Sequence, residues 1–70
     1  MNGRVVEFER LESLGLPLRV ENCLRSDGLW FIYELCERTE AELRTLRGMG
    51  DTSIRSIREA LARRGLSLAQ

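Results

Sequence analysis

Apolar side chains recur along this chain at the three- and four-residue spacing of helices, and glycines punctuate the pattern. Val20, Cys23 and Leu24 share one face of a helix predicted over about 18–27. Pro17 suits its first turn, where a missing N–H costs nothing, and Gly28 suits its end. The run Leu29-Trp-Phe-Ile-Tyr-Glu-Leu-Cys36 is the most apolar, and its aromatic and β-branched content would fit a strand. Ile32, Leu35 and Cys36 keep helical spacing, however, and no second strand exists to pair with it, so a helix over about 30–37 is predicted. Thr39-Glu-Ala-Glu42 has the form of a capping box and opens a short helix carrying Leu43 and Leu46, which ends at Gly48. Asp51 or Thr52 is expected to cap the last helix, whose apolar positions are Ile54, Ile57, Ala60 and Leu61. Gly65 ends that helix, and Leu66 and Leu68 can fold back onto the core. The expected fold is all-α, a compact bundle of four to five short helices. Its core holds Cys23, Ile32, Leu35, Met49, Ile54, Ile57 and Leu61, with Trp30 in the core or at its rim. Residues 1–10 read as an irregular or frayed arm, with one short helix as the alternative, and 11–70 as the single domain.

Composition narrows the function more than the fold. With 70 residues the core can supply only a few kcal/mol of net stability. Hydrophobic content of 43% with one proline still marks a folded chain. No apolar run approaches the about 18 residues a membrane-spanning helix needs, and no secretion-signal pattern is visible. Cys23 and Cys36 then read as reduced thiols of a cytoplasmic protein, with a disulfide as the alternative. Histidine is absent, twelve residues separate the two cysteines, and no P-loop lysine follows the glycines. Catalysis, a metal and a cofactor are therefore not expected.

Net charge is zero, from 11 basic and 11 acidic residues, which excludes a broad electrostatic footprint; nucleic-acid binding would have to use a local patch. Every basic residue is arginine. Guanidinium forks suit phosphate, and codon bias would produce the same composition.

One patch stands out. Gly48-Met49-Gly50 joins two helix-spaced apolar segments, the pattern of a helix-hairpin-helix. Glycine permits a tight turn and close approach of a partner, and the free N–H groups opening the following helix favour an anion. A simple C-cap and tight connection would also explain both glycines. On the first helix Arg19 and Asn22 are neighbours, forming either a contact face or an ordinary solvated one.

Taken together, these elements resemble the C-terminal domain of the bacterial RNA polymerase alpha subunit. The resemblance is carried by Leu16-Pro-Leu-Arg-Val-Glu-Asn-Cys-Leu24, Glu37-Arg-Thr-Glu-Ala-Glu-Leu43, Gly48-Met-Gly-Asp-Thr-Ser53 and Leu61-Ala-Arg-Arg-Gly-Leu-Ser-Leu68. It implies a compact helical domain that binds the minor groove of A·T-rich double-stranded promoter DNA. DNA contacts would fall on Arg19, Asn22, Gly48, Gly50 and Ser53. Partners would be transcription activators, sigma factor or RNA polymerase, with an activator-facing surface near Thr39, Glu40 and Glu42. A cytoplasmic, nucleoid-associated location follows from the same likeness.

The chain departs from the family pattern in three places. Asp51 and Thr52 stand where the family usually carries basic residues, and an aspartate there repels phosphate unless it turns inward to cap the helix. Ser13 and Gly15 occupy positions that are acidic and face sigma factor in the family. The sequence begins at Met1 without the assembly domain and linker of an alpha subunit, as expected of a free-standing relative or of an excised piece, and its atypical arm favours the former. Two functions are thus in play: a DNA-binding module, or a protein-interaction adaptor of the same fold that binds DNA poorly. A nuclease or ligase accessory module is a remote third, because helix-hairpin-helix elements also occur there.

Overall fold

A computed structural model describes residues 9–70; residues 1–8 of the arm read over 1–10 lie outside the described residues. A 3₁₀ turn (Leu11–Leu14) leads into α1 (Leu18–Ser26), α2 (Ile32–Cys36), α3 (Glu40–Arg44) and α4 (Asp51–Ala62). No strand forms among the described residues. The all-α expectation stands.

Local signals account for most of the boundaries. Pro17 sits at the N-cap of α1 rather than inside its first turn, and its carbonyl accepts the N–H of Val20 at 2.9 Å and of Glu21 at 3.0 Å. At the other end Gly28 adopts φ 88°. Its N–H meets the Arg25 carbonyl at 2.9 Å, and that of Leu29 meets Leu24 at 3.0 Å. Those two bonds form the Schellman closure that left-handed glycine makes possible, with Leu24 and Leu29 both buried beside it. The capping box is present in full: Thr39 Oγ1 accepts the Glu42 N–H at 3.1 Å, and Glu42 Oε1 accepts the Thr39 N–H at 2.9 Å.

Two boundaries differ from the sequence pattern. The predicted helix over 30–37 starts later, at Ile32, because the backbone just before it is drawn into another pairing. Arg10 and Phe31 make an isolated antiparallel bridge, with Leu11 N–H donating to the Trp30 carbonyl at 3.0 Å and Ile32 N–H to Glu9 at 2.9 Å. The strand-like composition of this run thus reports one extended pairing. Glu34 then folds back to accept the N–H groups of Trp30 (2.8 Å) and Phe31 (3.0 Å), which ends the extended segment and opens α2.

The second correction concerns α4. Neither Asp51 nor Thr52 caps it; the N-cap is Gly50, which has no side chain to offer, and Asp51 lies in the first turn. The Asp51 carboxylate has turned instead to Arg44.

Among the described residues fourteen apolar ones form one buried cluster, from Leu11 in the 3₁₀ turn to Leu61 in α4, and each large side chain fully buried there contributes about 1.5–3 kcal/mol. Ile32, Leu35, Met49, Ile54, Ile57 and Leu61 are in it as expected. Cys23 is not; it is half-buried and packs against the cluster's edge, where its thiol has a polar partner. Trp30 is at the rim, 48% exposed. Glu21 is buried at 7% exposure, with its charge met by Arg25 at 2.6 Å; Arg25 also holds Glu12 at 2.5 Å and lies over the Trp30 ring. That pairing ties α1 to the 3₁₀ turn. Leu66 and Leu68 pack back on the core as expected, and Ala69 N–H reaches the Arg38 carbonyl at 3.0 Å.

Candidate nucleic-acid interface

α1 meets the hairpin through a hydrogen bond from the Cys23 thiol to the carbonyl oxygen of Arg47, 3.1 Å away. The consequence is positional. Arg19 lies one helical turn before Cys23 on the same side of α1, Asn22 immediately precedes it, and Gly48 immediately follows Arg47. Arg19, Asn22 and Gly48 are all exposed, so the seam between α1 and the hairpin opens to solvent at the residues the sequence singled out.

The two hairpin glycines do different work. Gly48 has φ 84°, a left-handed conformation that disfavours any side chain, and Met49 N–H bonds back to the Leu46 carbonyl at 3.1 Å to close the turn. Met49 is buried beneath it. Gly50 has φ −115° and ψ −169°, extended backbone open to any residue, and a Cβ built there would meet nothing within 4 Å. The fold needs glycine at 48. At 50 neither the backbone angles nor crowding requires it.

The opening of α4 is electropositive. Its first bond runs from Ile54 N–H to the Gly50 carbonyl at 2.9 Å, and the N–H groups of Asp51, Thr52 and Ser53 have no acceptor among the described residues. Asp51 would oppose an anion there, but its Oδ1 lies 2.5 Å from Arg44, which also holds Glu40 at 2.9 Å. The hydrogen bond from Arg44, then that residue's charge, holds the Asp51 carboxyl below its ordinary range. Ser53 is 5% exposed, so it presents little of itself to a ligand compared with the other four candidate contacts.

The candidate protein-contact residues are at the start of α3. Thr39 and Glu42 are engaged with each other in the capping box, and Glu40 bridges Arg44 and, at 3.7 Å, Arg58. Two residues that the sequence reading did not place in the interface belong beside it. Cys23, read there as core, is the link between its halves, and Arg47 is an exposed cation next to the turn. Adjacency to Asn22 and to Gly48 was the available signal for each. Among the described residues no helix is long and apolar enough to cross a membrane, and no group of three metal-ligating side chains converges.

The family model for the C-terminal domain of the bacterial RNA polymerase alpha chain matches residues 5–63. The chain belongs to that family. It is a non-catalytic domain family of the transcription machinery. Among solved structures, an NMR structure of the same domain of the RNA polymerase alpha subunit from Helicobacter pylori superposes with a TM-score of 0.80 at 32% identity over 90% of this chain. This chain spans 55% of that one.

Proposed function

We propose that this domain binds the minor groove of A·T-rich double-stranded DNA and so contributes a promoter contact to a cytoplasmic transcription complex. The observation that carries the reading is the Cys23–Arg47 hydrogen bond, which sets the exposed Arg19/Asn22 face of α1 beside the Gly48–Gly50 turn. A narrow A-tract groove has an enhanced negative potential that attracts an inserted guanidinium, the role assigned to Arg19. Asn22 offers an amide to base edges or sugar. Gly50 admits the flanking backbone, and the unpaired first-turn amides of α4, Ser53 N–H among them, receive its phosphate.

Contact with activators, sigma factor or RNA polymerase through Thr39, Glu40 and Glu42 is a second surface, compatible with the first. As the sole function it is the weaker reading, because those side chains are engaged within the domain. A titration of the protein with an A·T-rich duplex and a G·C-rich control at low salt tests the proposal. Shifts should cluster on Arg19, Asn22, Gly48 and Gly50, and Arg19→Ala should cost about 1–3 kcal/mol of binding and erode the A·T preference. No binding to either duplex, with shifts on α3 when an activator is added, would establish the adaptor instead.

A further inference from the structure

The positions of the arginines point to a contact beyond those already assigned. Arg25, Arg38, Arg44, Arg58 and Arg64 are ion-paired, and Arg10 lies over the Phe31 ring. Among the described residues Arg19, Arg47, Arg55 and Arg63 have no acidic partner. Arg55 lines a cleft of about 660 Å³ between α4 and the chain's last residues, shared with Glu40 and Glu59, and Arg63 lies just past the end of α4. Arg19 and Arg47 are the two at the seam between α1 and the hairpin. Arg47 is also the better anchored: its carbonyl takes the Cys23 thiol, and the Met49-to-Leu46 bond closes the turn around it. Its backbone is therefore held from two sides while its side chain projects into solvent. The nearby carboxylate in sequence, Asp51, does not quench it, being bound to Arg44.

We infer that Arg47 is a phosphate-binding residue of the interface, gripping the DNA backbone beside the groove that Arg19 enters. The inference rests on the minor-groove reading of that seam. A guanidinium meets two phosphate oxygens at once with parallel N–H donors, which suits a fixed strand beside a fixed turn. Because the contact is to phosphate, it positions the duplex and carries no base information. Arg19 and Arg47 thereby divide the work: one discriminates and one holds.

The test compares wild type, Arg47→Ala, Arg47→Lys and Arg19→Ala on A·T-rich and G·C-rich duplexes of equal length across a salt series. Arg47→Ala should weaken both duplexes by the same factor and leave their ratio unchanged. Its salt slope should be shallower by about 0.9, so its deficit narrows about 3.5-fold between about 50 and 200 mM salt. Arg47→Lys should retain most of the affinity, whereas Arg19→Ala should change the ratio. Should the alanine variant fail to fold, Arg47→Gln carries the same expectation. Wild-type affinity and slope in Arg47→Ala, with binding lost in Arg19→Ala, would remove Arg47 from the interface and leave the groove reading standing. An altered A·T preference in Arg47→Ala would equally overturn its assignment to phosphate. Absence of binding by the wild type would overturn both.

Discussion

Cys23 gives the most direct check on how the two halves of the interface are joined. Buried in the core, as the spacing of apolar residues suggests, it would make Cys23→Ser costly by about 1–3 kcal/mol, since a hydroxyl would lack a partner. In the structure the side chain is half-buried at the core's edge and its donor already points at the Arg47 carbonyl, 3.1 Å away. Serine keeps a donor at that point, so its cost should stay under about 1 kcal/mol, the range of a net hydrogen bond. Alanine removes both the donor and the sulfur's packing, for about 1–2 kcal/mol in total. For a domain of this size each kcal/mol moves the midpoint by about 4–8 °C, so thermal melting followed by circular dichroism separates the two variants. Alanine should also weaken DNA binding more than serine does, because it releases the hairpin from α1. Equal destabilisation by serine and alanine, or a larger loss with serine, would refute the hydrogen-bonded seam.

The glycines of the turn should separate stability from binding. Gly48→Ala forces a side chain to φ 84° and should lower stability by about 1–2 kcal/mol, whereas Gly50→Ala should leave the melting curve in place and reduce duplex affinity; denaturant unfolding and a duplex titration read the two effects. Asp51→Asn should strengthen DNA binding by removing a carboxylate from the opening of α4, and Asp51→Lys should strengthen it further and steepen the salt slope by about 0.9, as fluorescence anisotropy at several salt concentrations would record. Glu34 has its carboxyl held below the ordinary range, first by the Trp30 N–H it accepts and then by that of Phe31. A depressed carboxyl stabilises the fold above its unfolded pKa of about 4.3, and that contribution is lost as pH falls through the lower folded value. Melting temperatures measured from neutral into acid should therefore fall on that limb, and Glu34→Gln should flatten it.

What could be read from the sequence was what neighbouring residues decide between themselves. The Thr39–Glu42 box, the Gly28 closure of α1 and the Gly48 turn each involve bonds spanning a few residues, so their residue types and spacing suffice. Helical periodicity likewise identified Ile32, Leu35, Ile54, Ile57 and Leu61 as core, because an apolar stripe must face inward. Helical spacing puts Arg19 beside Asn22 and the Gly-x-Gly pattern marks the turn at Gly50; their role as DNA contacts is what the family resemblance implies, and Arg47 is marked only by its place next to Gly48. Only the tertiary structure decided what distant residues do to one another. The start of α2 is set by Arg10 pairing across to Phe31. Asp51 leaves the helix cap because Arg44, seven residues back, lies within reach. The buried Glu21 is paired with Arg25, which Glu12 of the 3₁₀ turn also holds, and Cys23 faces a carbonyl 24 residues away. Each outcome depends on a separation through space, and no local pattern contains one until the helices have packed.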